Sequence, residues 1–130
     1  MSSEAIRYEL MPGRNIVIGT GKGKSNADEI EAFTEEVLEV VEDWRDSGWG
    51  YVADCTNITP VSAAESQALI VLTRRFVEAG CKAFGFAEGS SIMLKIQAQK
   101  NTERSHTGVT EGHFATVEEV LDWLKKDIHI

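Results

Sequence analysis

"NIVIGTGKGKSNADEIEAF", Asn15 to Phe33, carries two incompatible readings, and the fold turns on the choice between them. A β-branched run, Asn15 to Gly19, enters a glycine-rich stretch and Gly-Lys-Ser, and a helical pattern follows. A phosphate-binding loop of the Walker A type needs Gly, four residues, then Gly-Lys-Ser/Thr, because its backbone N–H groups must wrap the phosphate. Counting back from Gly23-Lys24-Ser25 puts the first glycine at position 18, which is Ile18; Gly19 and Gly21 are out of register. The dinucleotide pattern GxGxxG fails too, since Lys24 stands where its third glycine belongs. "GYVAD", Gly50 to Asp54, has the look of a Walker B strand, but apolar runs ending in Asp are common. The glycines are therefore read as relaxing a strand and its turn into an N-capped helix.

Working outward, that helix is the clearest element. Ile30, Phe33, Val37, Val40, Val41 and Trp44 share one face, and acids fill the rest. Ser25 or Asn26 caps its start, and Ser47-Gly48 is expected to end it. Upstream, Ile6 to Met11 alternates weakly, stops at Pro12-Gly13 and predicts a hairpin with Asn15 to Gly19. Downstream, "WGYVADC" (Trp49 to Cys55) reads as a buried strand. Ser62-Ala63-Ala64-Glu65 forms a capping box for a helix carrying Ala68, Leu69, Leu72, Phe76 and Ala79 and stopping at Gly80. "CKAFGFAE" is a strand, and a short helix starts near Ser90. Thr102 to Gly112 reads as a polar loop, "HFAT" as a last short strand, and Thr116 to Glu119 as a second capping box. The order β-β-α-β-α-β-α-β-α predicts an α/β fold: a mixed, mainly parallel sheet with an initial hairpin and about four helices.

The chain has 130 residues, the size of a single domain, and 42% are hydrophobic, enough for a core. The net charge of -8 disfavours nucleic acid and anionic membranes, whose phosphates need Lys and Arg. No apolar run approaches the roughly 18 residues of a membrane span. The start, "MSSEAIRYELMPG", lacks a basic segment followed by an apolar one, so it is not read as a signal peptide. A cytoplasmic protein of bacterial type is expected. The acidic first helix offers charge complementarity to a basic partner. Strand Ile6 to Met11, at an edge, offers pairing in a homodimer.

The candidate chemistry is sparse. Cys55 and Cys81 show no CxxC, which argues against a disulfide framework or a zinc site. Cys55 follows Asp54 at a strand's C-terminal end, where open α/β sheets bind ligands. A nucleophilic thiol there would need a lowered pKa, with the helix starting near Ser62 as its source. His106, His113 and His129 have no metal-ligand spacing, so neither metal nor cofactor is expected. Asp54 with Glu65 or Glu88 is a candidate carboxylate pair, although solvated or capping carboxylates are the commoner case. The 103–113 stretch, with Lys95, Lys100 and Arg104, gathers scarce positive charge that suits a small anion.

The whole arrangement resembles a STAS domain, the fold of bacterial anti-sigma-factor antagonists, of sulfate-transporter tails and of SpoIIAA-like relatives of unassigned function. Gly23 to Asn26 ("GKSN") stands where that family turns from an early strand into a helix. Asp54 stands where its next strand ends, and "HFATVEEVLDWLKK" is similar to its closing segment. The family's Asp-Ser-Ser-Gly switch falls on Ser62-Ala63-Ala64-Glu65, so both phosphoacceptor positions are alanine. Ser62 and Ser66 are the nearest hydroxyls; Ser62 is read first as a helix cap and second as a phosphosite, where a dianion would suit the helix N-terminus. The resemblance implies a non-enzymatic regulatory module that binds a protein, such as an anti-sigma factor. Its surface would comprise Asp54, Cys55, Thr56, Asn57, Ser62, Ala63, Ala64, Glu65 and Ser66. Two alternatives stay open: a carrier or sensor holding an apolar or anionic small molecule between sheet and helices, and a thiol enzyme at Cys55.

Overall fold

The computed structural model describes residues 5–130. Strands β1 (Ile6–Leu10) and β2 (Ile16–Gly21) form the expected hairpin, with Gly13 at φ 75 in its turn. Helix α1 spans Ala27–Val40; its cap is Asn26, whose side chain accepts from the Glu29 N–H at 2.9 Å. The helix ends earlier than Ser47-Gly48, because Val41 leaves helical geometry and a single 3-10 turn, Glu42–Trp44, carries the chain on. Strand β3 (Trp49–Asp54), helix α2 (Ala63–Glu78) and strand β4 (Cys81–Ala87) follow as read. Helix α3 (Ile92–Ser105), strand β5 (Thr110–Phe114) and helix α4 (Val117–Trp123) complete the order, α4 running into a π-helical turn at Leu124–Ile128.

Two further expectations are corrected. The polar loop is short: α3 continues to Ser105, β5 begins at Thr110, and residues 106–109 alone connect them. Thr102 and Ser105 are buried and turn their hydroxyls back onto the helix, to the carbonyls of Ala98 and Thr102 at 3.0 and 2.6 Å. Hydroxyls used this way look like loop composition but are compatible with helix. His106, at φ 56, supplies the left-handed stop that a glycine usually provides. The second capping box is one-sided. Thr116 Oγ1 accepts from Glu119 N–H, but the Glu119 carboxylate takes the threonine hydroxyl at 3.2 Å rather than the backbone amide.

The sheet order is β1-β2-β3-β4-β5, with β1 antiparallel to β2 and every other pair parallel. The alternation of each strand divides the core in two. Val17, Trp49, Tyr51, Phe84 and Cys81 meet α1 and α2 on one face. Ile16, Val52, Ala83 and Ala87 meet Val120 and Leu124 on the other. Register slips once: Trp49 pairs with Cys81 and Gly50 with Ala83, leaving Lys82 as the extra residue. Helix α2 packs between α1 and α3, and an Arg75–Glu35 ion pair crosses to α1. No helix among the described residues is long and apolar enough to cross a membrane.

Candidate binding cavity

The C-terminal ends of the parallel strands gather the two stretches that the sequence singles out. Asp54 closes β3, and its Oδ1 accepts from the Thr56 N–H at 3.1 Å and the Thr56 hydroxyl at 2.7 Å, fixing a tight turn. The following loop pairs with the glycine run: Gly23 N–H donates to Asn57 O and Thr59 N–H to Gly23 O, at 2.9 and 3.0 Å. Gly23 needs its left-handed φ of 66 there. Ser62 caps α2 in a reciprocal box: its hydroxyl accepts from Glu65 N–H at 3.2 Å, and Glu65 Oε1 accepts from Ser62 N–H at 3.0 Å. The other carboxylate oxygen of Glu65 accepts from the Ser25 hydroxyl at 3.2 Å, tying "GKSN" to the start of α2. Helix α3 clamps the loop from the far side, where Gln97 exchanges hydrogen bonds with both backbone groups of Val61 at 2.9 and 3.0 Å. Ala63 and Ala64 are exposed.

Beneath this frame lies a cavity of about 110 Å³, between the sheet and helices α1, α2 and α3. Its apolar wall includes Ile30, Leu69, Leu72, Phe84, Phe86 and Leu94. Asp54 and Glu65 are its carboxylates, and no lysine or arginine lines it among the described residues. Exposed Gly23 and Thr59 stand on its rim. Tyr51, 6% exposed, reaches it from β3, boxed by the rings of Phe76, Phe84 and Phe33 at 5.1, 5.2 and 6.4 Å between centroids. Its hydroxyl lies over Gly19, where a Cβ would overlap it and come within 2.9 Å of Phe33 Cζ. Likewise Ile58 occupies the space that a side chain at Gly21 would need. The glycine run thus makes room rather than cradling phosphate. The Tyr51 hydroxyl has no hydrogen-bond partner among the described residues, yet its oxygen is not sealed from open space. Burial, then the neighbouring Cys55 and Cys81, push the phenol's pKa upward, so it is neutral at ordinary pH.

Of the residues anticipated from sequence, Asp54, Cys55 and Glu65 line the cavity, while Thr56, Asn57, Ala63 and Ala64 form exposed surface above it. Ser66 stands 3.5 Å from the Asn101 amide of α3. The Cys55 thiol is pushed up to about 12 by burial first, then by Glu88 and Asp54. Such a thiol is protonated at neutral pH, the opposite of an activated nucleophile. Burial likewise raises the Cys81 thiol. The candidate carboxylate pair is not used as one: Asp54 holds Thr56, Glu65 holds Ser25 and Ser62, and Glu88 holds His113. Lys95, Lys100 and Arg104 lie along α3 rather than in an anion-binding loop. His129 lies just past the last helical turn.

Sequence reasoning missed three things. Helix α3 closes the cavity through Leu94, Gln97, Ala98 and Asn101, whose helical spacing was the available signal. Tyr51 was read only as part of a buried strand. His113 was given no role beyond lacking metal-ligand spacing; it lies within β5, which starts at Thr110, three residues before the expected strand "HFAT". Its Nδ1 is 3.0 Å from Glu88 and its Nε2 3.0 Å from Glu111, and Phe86 stacks on its ring at 5.0 Å. Burial lowers its pKa, but the hydrogen bonds to Glu88 and Glu111 outweigh that and raise it above the usual value.

Comparison with known proteins bears on the fold. No protein-family model matches the chain, and no curated protein matches it. Solved structures do. One is an uncharacterized protein from the DUF3478 family with a SpoIIAA-like fold, from Shewanella loihica PV-4. It is 18% identical, with 95% of this chain and 98% of that one covered at a TM-score of 0.69. Another is an anti-sigma factor antagonist from Mycobacterium paratuberculosis, 11% identical over 97% of this chain and 100% of that one, with a TM-score of 0.59. The chain has the STAS-like, SpoIIAA-like fold.

Proposed function

We propose that this STAS-like domain is a non-catalytic binding module whose input is a small molecule held in the cavity beneath the 54–66 segment. The cavity carries this reading. It sits at the strand ends where open α/β sheets take ligands, has a mainly apolar wall and a few converging polar groups, and is framed by the loop that pins Gly23 to Asn57. The protonated thiol of Cys55 and the separate engagement of Asp54, Glu65 and Glu88 support a binding role over a catalytic one. The lining supports an apolar ligand over an anionic one, since it has carboxylates and no base. Native mass spectrometry of the protein isolated from its own cells tests this. A stoichiometric non-covalent adduct, lost in an Ala98→Leu variant that fills the cavity, is expected. An adduct retained in that variant would contradict it.

A second reading concerns the output. The exposed Ala63 and Ala64 at the start of α2, with Thr56 and Asn57 beside them, form a surface suited to a protein partner. The fold shared with an anti-sigma factor antagonist supports that role. With alanines at the switch positions, control passes to ligand or partner level in a cytoplasmic, regulatory setting. Stoichiometric phosphate on Ser62 or Ser66 in protein from its own cells would overturn this unphosphorylated mode.

A further inference from the structure

We infer that the cavity takes an uncharged molecule of about one ring, bearing a hydroxyl or carbonyl group that hydrogen-bonds the Tyr51 hydroxyl. This rests on the cavity being a ligand site and adds the ligand's size, charge and polar group.

Size comes from the volume. At about 110 Å³ the cavity is somewhat smaller than the roughly 150 Å³ apolar cavities that accept benzene. A single small ring or a short chain fits; a nucleotide does not.

Charge comes from the lining. An anion would meet Asp54 and Glu65 with no lysine or arginine to offset them. A cation would meet one carboxylate oxygen with no partner among the described residues, Asp54 Oδ2, in the loop turn at the end of β3. Both oxygens of buried Glu65 already accept protein hydrogen bonds, and Asp54 is engaged by Thr56 in the loop turn. The apolar wall is Ile30, Leu69, Leu72, Leu94 and the rings of Phe84 and Phe86, a setting in which an ion of either sign loses its hydration without replacement.

The polar group comes from Tyr51. A phenol this buried normally has a hydrogen-bond partner, and leaving one unmade is costly. The Gln97 amide and the other hydroxyls on the wall are occupied within the protein: Gln97 by Val61, Ser25 by Glu65, Thr59 by Gly23, Thr73 by Leu69 and Thr102 by Ala98; the Cys55 thiol is a weak donor at most. Of the hydroxyls on the wall, that of Tyr51 alone has no partner among the described residues, and it lies above a glycine whose missing side chain keeps the approach open. It can donate to a carbonyl or exchange with a hydroxyl.

The test is a titration of ¹⁵N-labelled protein with four one-ring probes: toluene, benzyl alcohol, benzylamine and benzoate. Wild type and Tyr51→Phe are compared by amide shifts, and the variant keeps the ring and its packing. Benzyl alcohol should bind wild type at least tenfold tighter than benzylamine or benzoate. Tyr51→Phe should weaken benzyl alcohol by about tenfold, the scale of one hydrogen bond, and leave toluene unchanged. Equal binding of benzyl alcohol to both proteins, or benzoate or benzylamine binding as tightly, overturns the inference while the ligand cavity stands. Failure of all four probes, toluene included, to bind wild type overturns the ligand-cavity reading itself.

Discussion

The two faces of the sheet use glycine in opposite ways. On the α4 face the missing side chains are replaced from across the interface. A Cβ at Gly85 would overlap Val120 Cγ1 and come within 3.3 Å of Trp123, and one at Gly50 would lie 3.3 Å from Leu124. That face is closed. On the face covered by α1, α2 and α3, Gly19 and Gly21 are met by the Tyr51 hydroxyl and by Ile58, and a cavity remains beside them. The difference lies at Gly19: branched aliphatic side chains fill the gaps at Gly85, Gly50 and Gly21, whereas at Gly19 a hydroxyl leaves a polar atom facing space. Close packing is the rule in protein interiors, so a cavity at the strand ends of one face is a feature with a consequence.

Substitutions can break or sharpen that contrast. The largest effect is expected on the closed face. Gly85→Ala drives a methyl into Val120, whose β-branched side chain has little freedom to turn away, and should cost about 2–3 kcal/mol in urea unfolding. A loss near zero would mean that the face is not closed. On the open face, Ser62→Ala removes the hydroxyl that caps α2 at the cavity's edge and should cost about 1 kcal/mol. An unchanged midpoint would show the cap to be dispensable. Ala98→Leu points the other way: it fills open space and should gain about 0.5–1 kcal/mol while ending benzyl alcohol binding. A destabilised Ala98→Leu would show that the space is not available.

The smallest effect is electrostatic and lies at the far edge of the sheet. The His113 pKa is raised in the folded protein, so its ion pairs with Glu88 and Glu111 contribute fully below the ordinary histidine pKa of about 6.5. That contribution fades as pH rises through the raised folded value. The stability gap between wild type and His113→Asn should therefore shrink, by less than about 1 kcal/mol, between pH 6 and pH 9. A gap that widens with pH would reverse the assignment.

Legibility in the sequence follows from locality. Hydrophobic period and caps are local, and they placed β1 to β4, the Ser62 box and Asp54 at its strand end. They also made the glycine run a turn once the Walker spacing failed. Helix α3 was cut short because Thr102 and Ser105 are polar in composition but satisfy their hydroxyls within the helix. The Tyr51–Gly19 approach is not local at all. It depends on the parallel register that pairs Gly19 with Ala53, two residues past Tyr51, and no spacing rule within either strand encodes it. The His113 cluster likewise joins β4's end to β5 across 25 residues. The STAS resemblance anticipated the fold and left a small-molecule site between sheet and helices open as an alternative, but it named no residue of the wall beyond the 54–66 segment.

The open face is tested most directly by mapping amide shifts at saturating benzyl alcohol. The largest shifts should fall on Gly19, Gly21 and Ala53, around the cavity, with Gly50 and Gly85 on the closed face unmoved. Shifts centred on Gly50 and Gly85, or none at all, would contradict a ligand cavity between the sheet and helices α1 to α3.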